Sequence, residues 1–254
     1  MSIFHKTLQG VLIEGEALAV MCSMPSESFD LVLTDPPYSS GGMFRGDKAK
    51  ATSDKYTLDR PSTIARPEFM GDNRDQRAFL MWGALWASEA HRLVKPGGVM
   101  CMFSDWRQLP VTTDIMQAGG FVWRGIAVWD KTEAARPQKG RFRSQCEYLV
   151  WGTKGAGPTD GACLPGVFRK AVRQDDKHHI TGKPLHVVTE VARICPSGGR
   201  VLDPFAGSGT TAVACERLGL GWVCIEQVRE YCEIARKRLL QPAAADMVAM
   251  MGEG

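Results

Sequence analysis

The sequence contains one short run of residues suited to holding an amino group attached to an aromatic ring. It is Asp35-Pro36-Pro37-Tyr38, which directly follows the apolar, β-rich run 29–34. Asp35 supplies an anionic acceptor, the carbonyl of Pro36 supplies a second acceptor, and Tyr38 offers an aromatic face for stacking. Because two prolines prevent further strand pairing, the same run also fits a rigid turn after a strand. The candidate catalytic residues are Asp35, Pro36, Pro37 and Tyr38.

A second constellation, at residues 201–211, has the pattern of a cofactor-binding turn. A short apolar run ends at Asp203, a glycine-rich turn follows, and a helix is predicted from Thr210. Glycines let the backbone approach a ligand closely, and the first N–H groups of a helix favour an anionic group. The next predicted strand ends in Glu226, whose carboxylate is well placed to bind ribose hydroxyls. The candidate cofactor-binding residues of this region are Asp203, Pro204, Phe205, Gly207, Gly209, Thr210, Thr211 and Glu226.

The details of this turn narrow the kind of cofactor. The third glycine of the dinucleotide fingerprint is missing and Asp203-Pro204 precedes the turn, which argues against a dinucleotide. No Gly-Lys-Ser/Thr follows, which argues against a P-loop. The pattern therefore favours another nucleotide-like cofactor with a carboxylate or phosphate, although a tight turn in any α/β domain can carry the same glycines.

Positive charge is concentrated in one stretch of the chain. The formal net charge is only +3, yet residues 131–186 carry 11 basic and 5 acidic side chains. Such a stretch is typical of a surface that meets phosphates, and it is equally compatible with a solvated loop region. The candidate residues for contacting phosphates, such as those of a nucleic acid, are Arg136, Lys139, Arg141 and Arg143.

The residues around these constellations predict the elements that position them. Helices are predicted at 77–94, 185–194, 210–219 and 230–240, strands at 29–34, 99–103, 200–203 and 221–225, and a hairpin with a basic connection at 121–151. Alternating strands and helices imply an α/β domain with a mostly parallel sheet, which binds ligands beyond the carboxyl ends of its strands. We expect a single domain over residues 1–254, with a long loop or lid at 39–75, a basic hairpin and short target-recognition region at 131–182, and a loose tail at 241–254.

Composition excludes several classes of protein. With 254 residues, of which 44% are hydrophobic and 23% charged, the chain is neither disordered nor fibrous and can form a self-supporting core. Its eight cysteines form no C-x-x-C pair, which argues against zinc-ribbon and thioredoxin sites and predicts a reduced, intracellular protein. Neither a signal peptide nor a membrane-spanning window is evident, so we expect a cytoplasmic protein with no membrane partner and no metal.

In this order, the two constellations resemble those of the S-adenosylmethionine-dependent DNA amino-methyltransferases, which modify adenine N6 or cytosine N4. The D-P-P-Y run at 35–38 precedes the D-P-F-A-G-S-G-T-T run at 203–211 by 168 positions, which resembles the circularly permuted β arrangement of that family. Further similar blocks are 91–98, 141–154, 183–194, 226 and 231–239, so the resemblance covers nearly all of residues 10–240. One departure is Gly15-Glu16, where the family usually has Gly-Asp.

The resemblance implies a Rossmann-like fold with helices on both faces of the sheet and S-adenosylmethionine as cofactor. It also implies that Lys183 binds the cofactor, at the start of a helix that closes over its methionine end. A flipped-out adenine in DNA would stack on Tyr38, while Asp35 and the Pro36 carbonyl hold its amino group for in-line transfer. Three alternatives stay open, namely cytosine-N4 methylation, an RNA substrate and a catalytically silent nucleic-acid-binding relative. Because many relatives dimerise, a homodimer is also open.

Overall fold

The computed structural model describes residues 2–37, 75–135, 137, 139–161, 163–171 and 182–241. Its strands are β1 (Ser2–Lys6), β2 (Gly10–Glu14), β3 (Phe29–Thr34), β4 (Val94–Ser104), β5 (Val122–Asp130), β6 (Cys146–Thr153), β7 (Val167–Arg169), β8 (Arg200–Asp203) and β9 (Gly221–Glu226). Its helices are α1 (Ala17–Cys22), α2 (Gln76–Leu93), α3 (Leu109–Ala118), α4 (Leu185–Ala192), α5 (Thr210–Leu218) and α6 (Arg229–Leu239). The predicted lid at 39–75 and tail at 241–254 fall outside the described residues, except for Asp75 and Gln241.

All nine strands belong to one sheet, in the order β1-β2-β9-β8-β3-β4-β6-β5-β7. The five central strands from β2 to β4 are parallel to one another. Strand β6 runs antiparallel to both β4 and β5, so the predicted hairpin at 121–151 is confirmed as β5 and β6. The carboxyl ends of β9, β8, β3 and β4 therefore lie side by side at one edge, where a parallel sheet binds its ligands.

Helices cover both faces of the sheet. Because successive side chains of a strand point to opposite faces, Leu31 and Leu33 of β3 pack in the core formed with α4, α5 and α6. Val32 packs on the other face, in the core formed with α1, α2 and α3. Strands buried on both faces explain the nearly continuous apolar run at 29–34. The predicted fold class, a mostly parallel Rossmann-like sheet with helices on both faces, is confirmed.

The ends of α2 and β4 show how local chemistry sets the element bounds. Asp75 is the N-cap of α2, and its carboxylate accepts a hydrogen bond of 2.8 Å from the backbone N–H of Ala78. After α2, Val94 already pairs with β3, and the register shifts before Val99 resumes the pairing. The predicted turn at 95–98 therefore lies inside a longer strand, where the pairing with β3 is irregular and Gly97 has a φ of 79°.

Sequence patterns did not predict five of these elements, namely β1, β2, α1, α3 and β7. Strand β7 has three residues and α1 has six, which is too short for a periodic pattern to stand out. Helix α3 contains Pro110 in its first turn, where proline is tolerated although it usually signals a break. None of the helices in the described ranges is both long and apolar enough to cross a membrane.

Candidate active site

The two predicted constellations meet at the carboxyl edge of the sheet, because β3 and β8 are direct parallel neighbours. Val32 pairs with Leu202, and on the other side of β8 Asp203 pairs with Cys224 of β9. The D-P-P run leaves β3, the glycine turn leaves β8 and Glu226 ends β9. Three consecutive strand ends thus present all three features to one region, as the sequence predicted.

Asp203 fastens the two loops to each other. Its Oδ1 accepts hydrogen bonds from the Thr34 hydroxyl at 2.8 Å and from the backbone N–H of Phe205 at 3.1 Å. Its Oδ2 accepts a bond of 2.6 Å from the Thr211 hydroxyl. Burial raises the pKa of Asp203, against the lowering effect of these hydrogen bonds. The structure therefore places Asp203 beneath the cofactor turn as a buried support.

The glycine turn that follows has a shape that other residues adopt with difficulty. Gly207 and Gly209 have φ angles of 51° and 75°, in the left-handed region. A β-carbon at Gly209 would lie only 2.7 Å from the β-carbon of Ala235 in α6. Gly209 is the N-cap of α5, which it leaves without a side-chain cap, and Thr210 and Thr211 form the first turn. The backbone N–H groups at this helix end suit an anionic ligand.

Glu226 shapes the other side of the same turn. Its Oε2 accepts a hydrogen bond from the backbone N–H of Gly207, and its Oε1 accepts one from Val228, both at 2.7 Å. Burial raises the pKa of this carboxyl group. Each carboxylate oxygen has a second lone pair, so Glu226 can still accept bonds from ribose hydroxyls. The predicted ribose-binding role fits its position.

Aromatic rings support the turn from the α2 side. The ring of Phe205 lies 5.3 Å from that of Trp82 and 5.2 Å from that of Trp86, measured between centroids. Trp86 is fully buried, so this part of the turn rests on the core. Pro204, between Asp203 and Phe205, is buried as well. All eight predicted cofactor residues between 203 and 226 thus belong to one connected region.

Asp35 is the titratable group of the D-P-P run, and its two oxygens have different surroundings. Oδ2 accepts a hydrogen bond of 2.5 Å from Lys183 Nζ, whereas Oδ1 is buried and has no hydrogen-bond partner among the described residues. Burial raises the pKa of Asp35 to about 6, against the lowering effect of Lys183. Pro36 is buried next to it, and Tyr38 lies outside the described residues.

Lys183 occupies a position that the sequence did not indicate. Its ammonium group pairs with Asp35 and, at 3.3 Å, with Glu147 Oε2, and it lies 5.3 Å from the ring centroid of Phe103. Asp35 and Glu147 raise the pKa of Lys183, although burial opposes its charge. The structure places this ammonium group against the candidate catalytic carboxylate, and the predicted contact with the cofactor stays a prediction.

The described basic residues of the β5–β6 connection are exposed. Lys139 and Arg141 lie at its surface, and Arg136 lies outside the described residues. Arg143 donates hydrogen bonds to the backbone carbonyls of Glu133 and Ala135, so it also holds the connection in shape. Contact with DNA stays a prediction for these four candidates.

Sequence reasoning missed three residues that organise the site, namely Thr34, Glu147 and Arg238. Arg238 Nη1 donates to the Ser208 carbonyl at 2.6 Å and to the Thr210 hydroxyl at 3.0 Å, which ties α6 to the cofactor turn. Thr34 was visible only as the residue before Asp35, and Glu147 only as a charge within an apolar strand. At the departure Gly15-Glu16, the Glu16 carboxylate caps α1 through the N–H groups of residues 18 and 19.

The fold is a mostly parallel sheet covered by helices. A glycine turn follows one central strand, and an acidic side chain ends the neighbouring strand. These features define a Rossmann-like domain for a nucleotide-like cofactor. The N6_N4_Mtase family, described as DNA methylase, matches residues 29–162 and 164–237. The chain belongs to this family of DNA methyltransferases.

The chain is similar to a curated type II methyltransferase, and two solved structures share its fold. The type II methyltransferase M2.DpnII of Streptococcus pneumoniae is 27% identical over 251 residues, which cover 90% of this chain and 89% of that protein. The crystal structure of the M1.HpyAVI–SAM complex has a TM-score of 0.64 at 23% identity and covers 91% of this chain and 98% of that one. The PvuII DNA methyltransferase, which is cytosine-N4-specific, has a TM-score of 0.71 at 18% identity and covers 94% and 89%.

Proposed function

We propose that this DNA methyltransferase transfers a methyl group from S-adenosylmethionine to the N6 amino group of a flipped-out adenine in DNA. The observation that carries the proposal is Oδ1 of Asp35, a buried acceptor at the carboxyl edge of the sheet that has no hydrogen-bond partner among the described residues. An adenine amino group supplies the N–H donor that this oxygen lacks. Asp35 in the D-P-P-Y run favours adenine over cytosine through the family resemblance.

The residues of the D-P-P run would overcome the weak nucleophilicity of a ring amino group. Its lone pair is delocalised into the base, and accepting both N–H hydrogens in hydrogen bonds favours a tetrahedral nitrogen. Asp35 Oδ1 and the Pro36 carbonyl are the proposed acceptors, and Tyr38 is the proposed stacking partner of the flipped base. Holding the two reactants in attack geometry is worth about 7–11 kcal/mol, so positioning can supply most of the acceleration.

The cofactor turn has the features that S-adenosylmethionine needs. When bound, the cofactor would supply an electrophilic methyl group on a sulfonium and would leave as a neutral thioether, while the methylated nitrogen would lose one N–H proton. Glu226 would accept bonds from the ribose hydroxyls, and the uncapped N-terminus of α5 after Gly209 would face an anionic group. The absence of a β-carbon at Gly209 keeps α6 close to the turn. Asp203 would hold the turn from below rather than touch the cofactor.

The identity of the modified base tests the proposal directly. Plasmid DNA from a host without DNA methylation is incubated with the protein and labelled S-adenosylmethionine, then digested to nucleosides and analysed by mass spectrometry. We expect N6-methyladenine. Detection of N4-methylcytosine instead would show that the substrate base is cytosine. If a parallel RNA sample is labelled and the plasmid is not, the substrate is RNA. If no label is incorporated although the protein binds the cofactor, the chain is a catalytically silent relative.

Substitution of the exposed basic residues tests the proposed DNA-facing surface. A Lys139→Gln, Arg141→Gln double variant is expected to weaken DNA binding and to reduce the slope of log K against log salt by about 2, since each phosphate contact contributes about 0.9. Arg143 is left unchanged because it also holds backbone carbonyls. Fluorescence anisotropy with labelled duplex DNA between low and moderate salt measures the slope.

Arg217→Gln is the matched control for the double variant. Arg217 is exposed in the last turn of α5, and since α5 starts at the carboxyl edge, Arg217 lies toward the opposite edge of the sheet. Its salt slope should equal that of the unsubstituted protein. A slope that is also unchanged in the double variant would remove residues 139 and 141 from the DNA-facing surface.

A further inference from the structure

Four side chains of alternating charge form a row along the carboxyl edge of the sheet. They are Asp35 after β3, Lys183 before α4, Glu147 in β6 and Lys131 after β5. The successive nitrogen–oxygen distances are 2.5 Å, 3.3 Å and 3.1 Å. We name this group the charge row. Only its first member, Asp35, belongs to the proposed catalytic run.

The charge row is mostly shielded from water. The Lys183 side chain is 5% exposed, and those of Glu147 and Lys131 are 18% and 19% exposed. Aromatic rings lie beside both lysines, with Lys183 Nζ 5.3 Å from the Phe103 ring and Lys131 Nζ 5.7 Å from the Trp129 ring. An unpaired charge in such surroundings is costly, so each member depends on its neighbours for a defined position.

The geometry of Lys183 decides which oxygen of Asp35 is open. An ammonium group carries three N–H donors and can serve both oxygens of one carboxylate. Here Lys183 Nζ also forms an ion pair with Glu147 Oε2 at 3.3 Å, and Lys131 is paired with Glu147 Oε1. Lys183 is thereby shared between two carboxylates and donates to Oδ2 of Asp35, while Oδ1 of Asp35 has no hydrogen-bond partner among the described residues.

We propose that Glu147 is a positioning residue for methyl transfer, which draws Lys183 to Asp35 Oδ2 and so keeps Asp35 Oδ1 open for the N–H of the target amino group. This inference rests on the proposed function. In this role Glu147 acts through its ion pair with Lys183 and not directly on the base or the cofactor. Its negative charge also prevents Lys183 from fully neutralising Asp35, which keeps the open oxygen a good acceptor.

The electrostatics of the row agree with this arrangement. Burial opposes the charge of Glu147, but Lys183 and Lys131 outweigh it and hold the pKa of Glu147 below its usual value, which favours the charged form. Three charged groups act on Asp35, where Lys183 lowers its pKa and the carboxylates of Glu147 and Asp203 raise it. Removing the Glu147 charge should therefore lower the pKa of Asp35, and removing the Lys183 charge should raise it.

The test is the pH profile of methylation by Glu147→Gln, which keeps the shape of the side chain and removes its charge. Because an ionised carboxylate is a stronger acceptor than a protonated carboxyl group, kcat/KM of the unsubstituted protein should rise with pH and reach half its maximum near pH 6. We expect Glu147→Gln to lower kcat about 10-fold or more, because Lys183 is free to reach Oδ1, and to move the half-maximum to lower pH. Lys183→Met should move it to higher pH.

Asp130→Asn is the matched control. Asp130 ends β5 at the same edge of the sheet, but its carboxylate bonds Gln145 and the backbone N–H of Thr132 and is not part of the charge row. Its profile should overlay that of the unsubstituted protein. Thermal unfolding and cofactor titration of each variant establish that the fold and the cofactor turn are intact.

The possible outcomes separate this inference from the proposed function. A Glu147→Gln variant with unchanged kcat, or with a lower kcat and an unmoved half-maximum, would overturn the positioning role while the function stands. If Asp35→Ala retains activity, the proposed catalytic run is wrong and the inference falls with it. A half-maximum that moves to higher pH in Glu147→Gln contradicts the electrostatic argument and overturns the inference as well.

Discussion

The Asp35→Ala variant is expected to lose methyl transfer by at least about 10²–10³-fold in kcat while it still binds S-adenosylmethionine. This is the typical loss when one preorganised hydrogen-bonding group of an active site is removed. Asp35 carries the open oxygen Oδ1, whereas the cofactor turn is formed by residues of β8, α5 and β9. Single-turnover methylation of plasmid DNA measures the first effect, and calorimetric titration with the cofactor measures the second.

Two further variants make the Asp35 result interpretable. Asp35→Asn keeps the shape of the side chain and one acceptor oxygen but no negative charge, so an equally large loss would show that the charge is required. Asp114→Ala removes an exposed carboxylate from α3 and should leave kcat unchanged. Activity of Asp35→Ala close to that of Asp114→Ala would exclude Asp35 from the chemistry.

Replacing Asp203 by alanine is expected to destabilise the fold and to abolish cofactor binding together. Three donors, the hydroxyls of Thr34 and Thr211 and the backbone N–H of Phe205, would lose their acceptor in a buried place. Leaving a buried donor unpaired costs about 1–3 kcal/mol, so we expect the free energy of unfolding to fall by about 3 kcal/mol or more. Urea unfolding and cofactor titration measure the two losses.

Thr211→Val is the matched control for Asp203→Ala. It removes one of the three donors and keeps the volume of the side chain, so it should cost about 1 kcal/mol. Its cofactor affinity should fall much less than that of Asp203→Ala, because the bonds from Thr34 and Phe205 remain. Full stability of Asp203→Ala would show that the buried network does not hold the turn.

Much of the fold and the outline of the site could be predicted from the sequence. Proline after a β-rich run placed Asp35 at a strand end, and the glycine turn placed Asp203 and Glu226 at two more. These signals are local, because a few adjacent residues determine backbone shape. A parallel sheet then brings its strand ends to one edge, so their proximity followed from the fold class.

The contacts made by long side chains across the edge could not be predicted in the same way. Lys183 meets Asp35 and Glu147 only because β6 inserts beside β4 and α4 begins above it, which no local pattern specifies. Glu147 is the second residue of β6, and a single charged residue near the start of a strand is typical of any half-exposed position. Residues 95–98 were predicted as a plain turn, because glycine and proline are typical both of turns and of irregular pairing within a strand.

The single hydrogen bond between Thr34 and Asp203 joins the loop proposed to hold the methyl acceptor to the loop proposed to hold the donor. The two residues lie in adjacent parallel strands, so the spacing of the two reactants is fixed inside the sheet. The β5–β6 connection lies outside these two strands and can therefore vary in length and sequence without changing the transfer distance. A scaffold of this kind can acquire new target sequences in evolution while its chemistry stays the same.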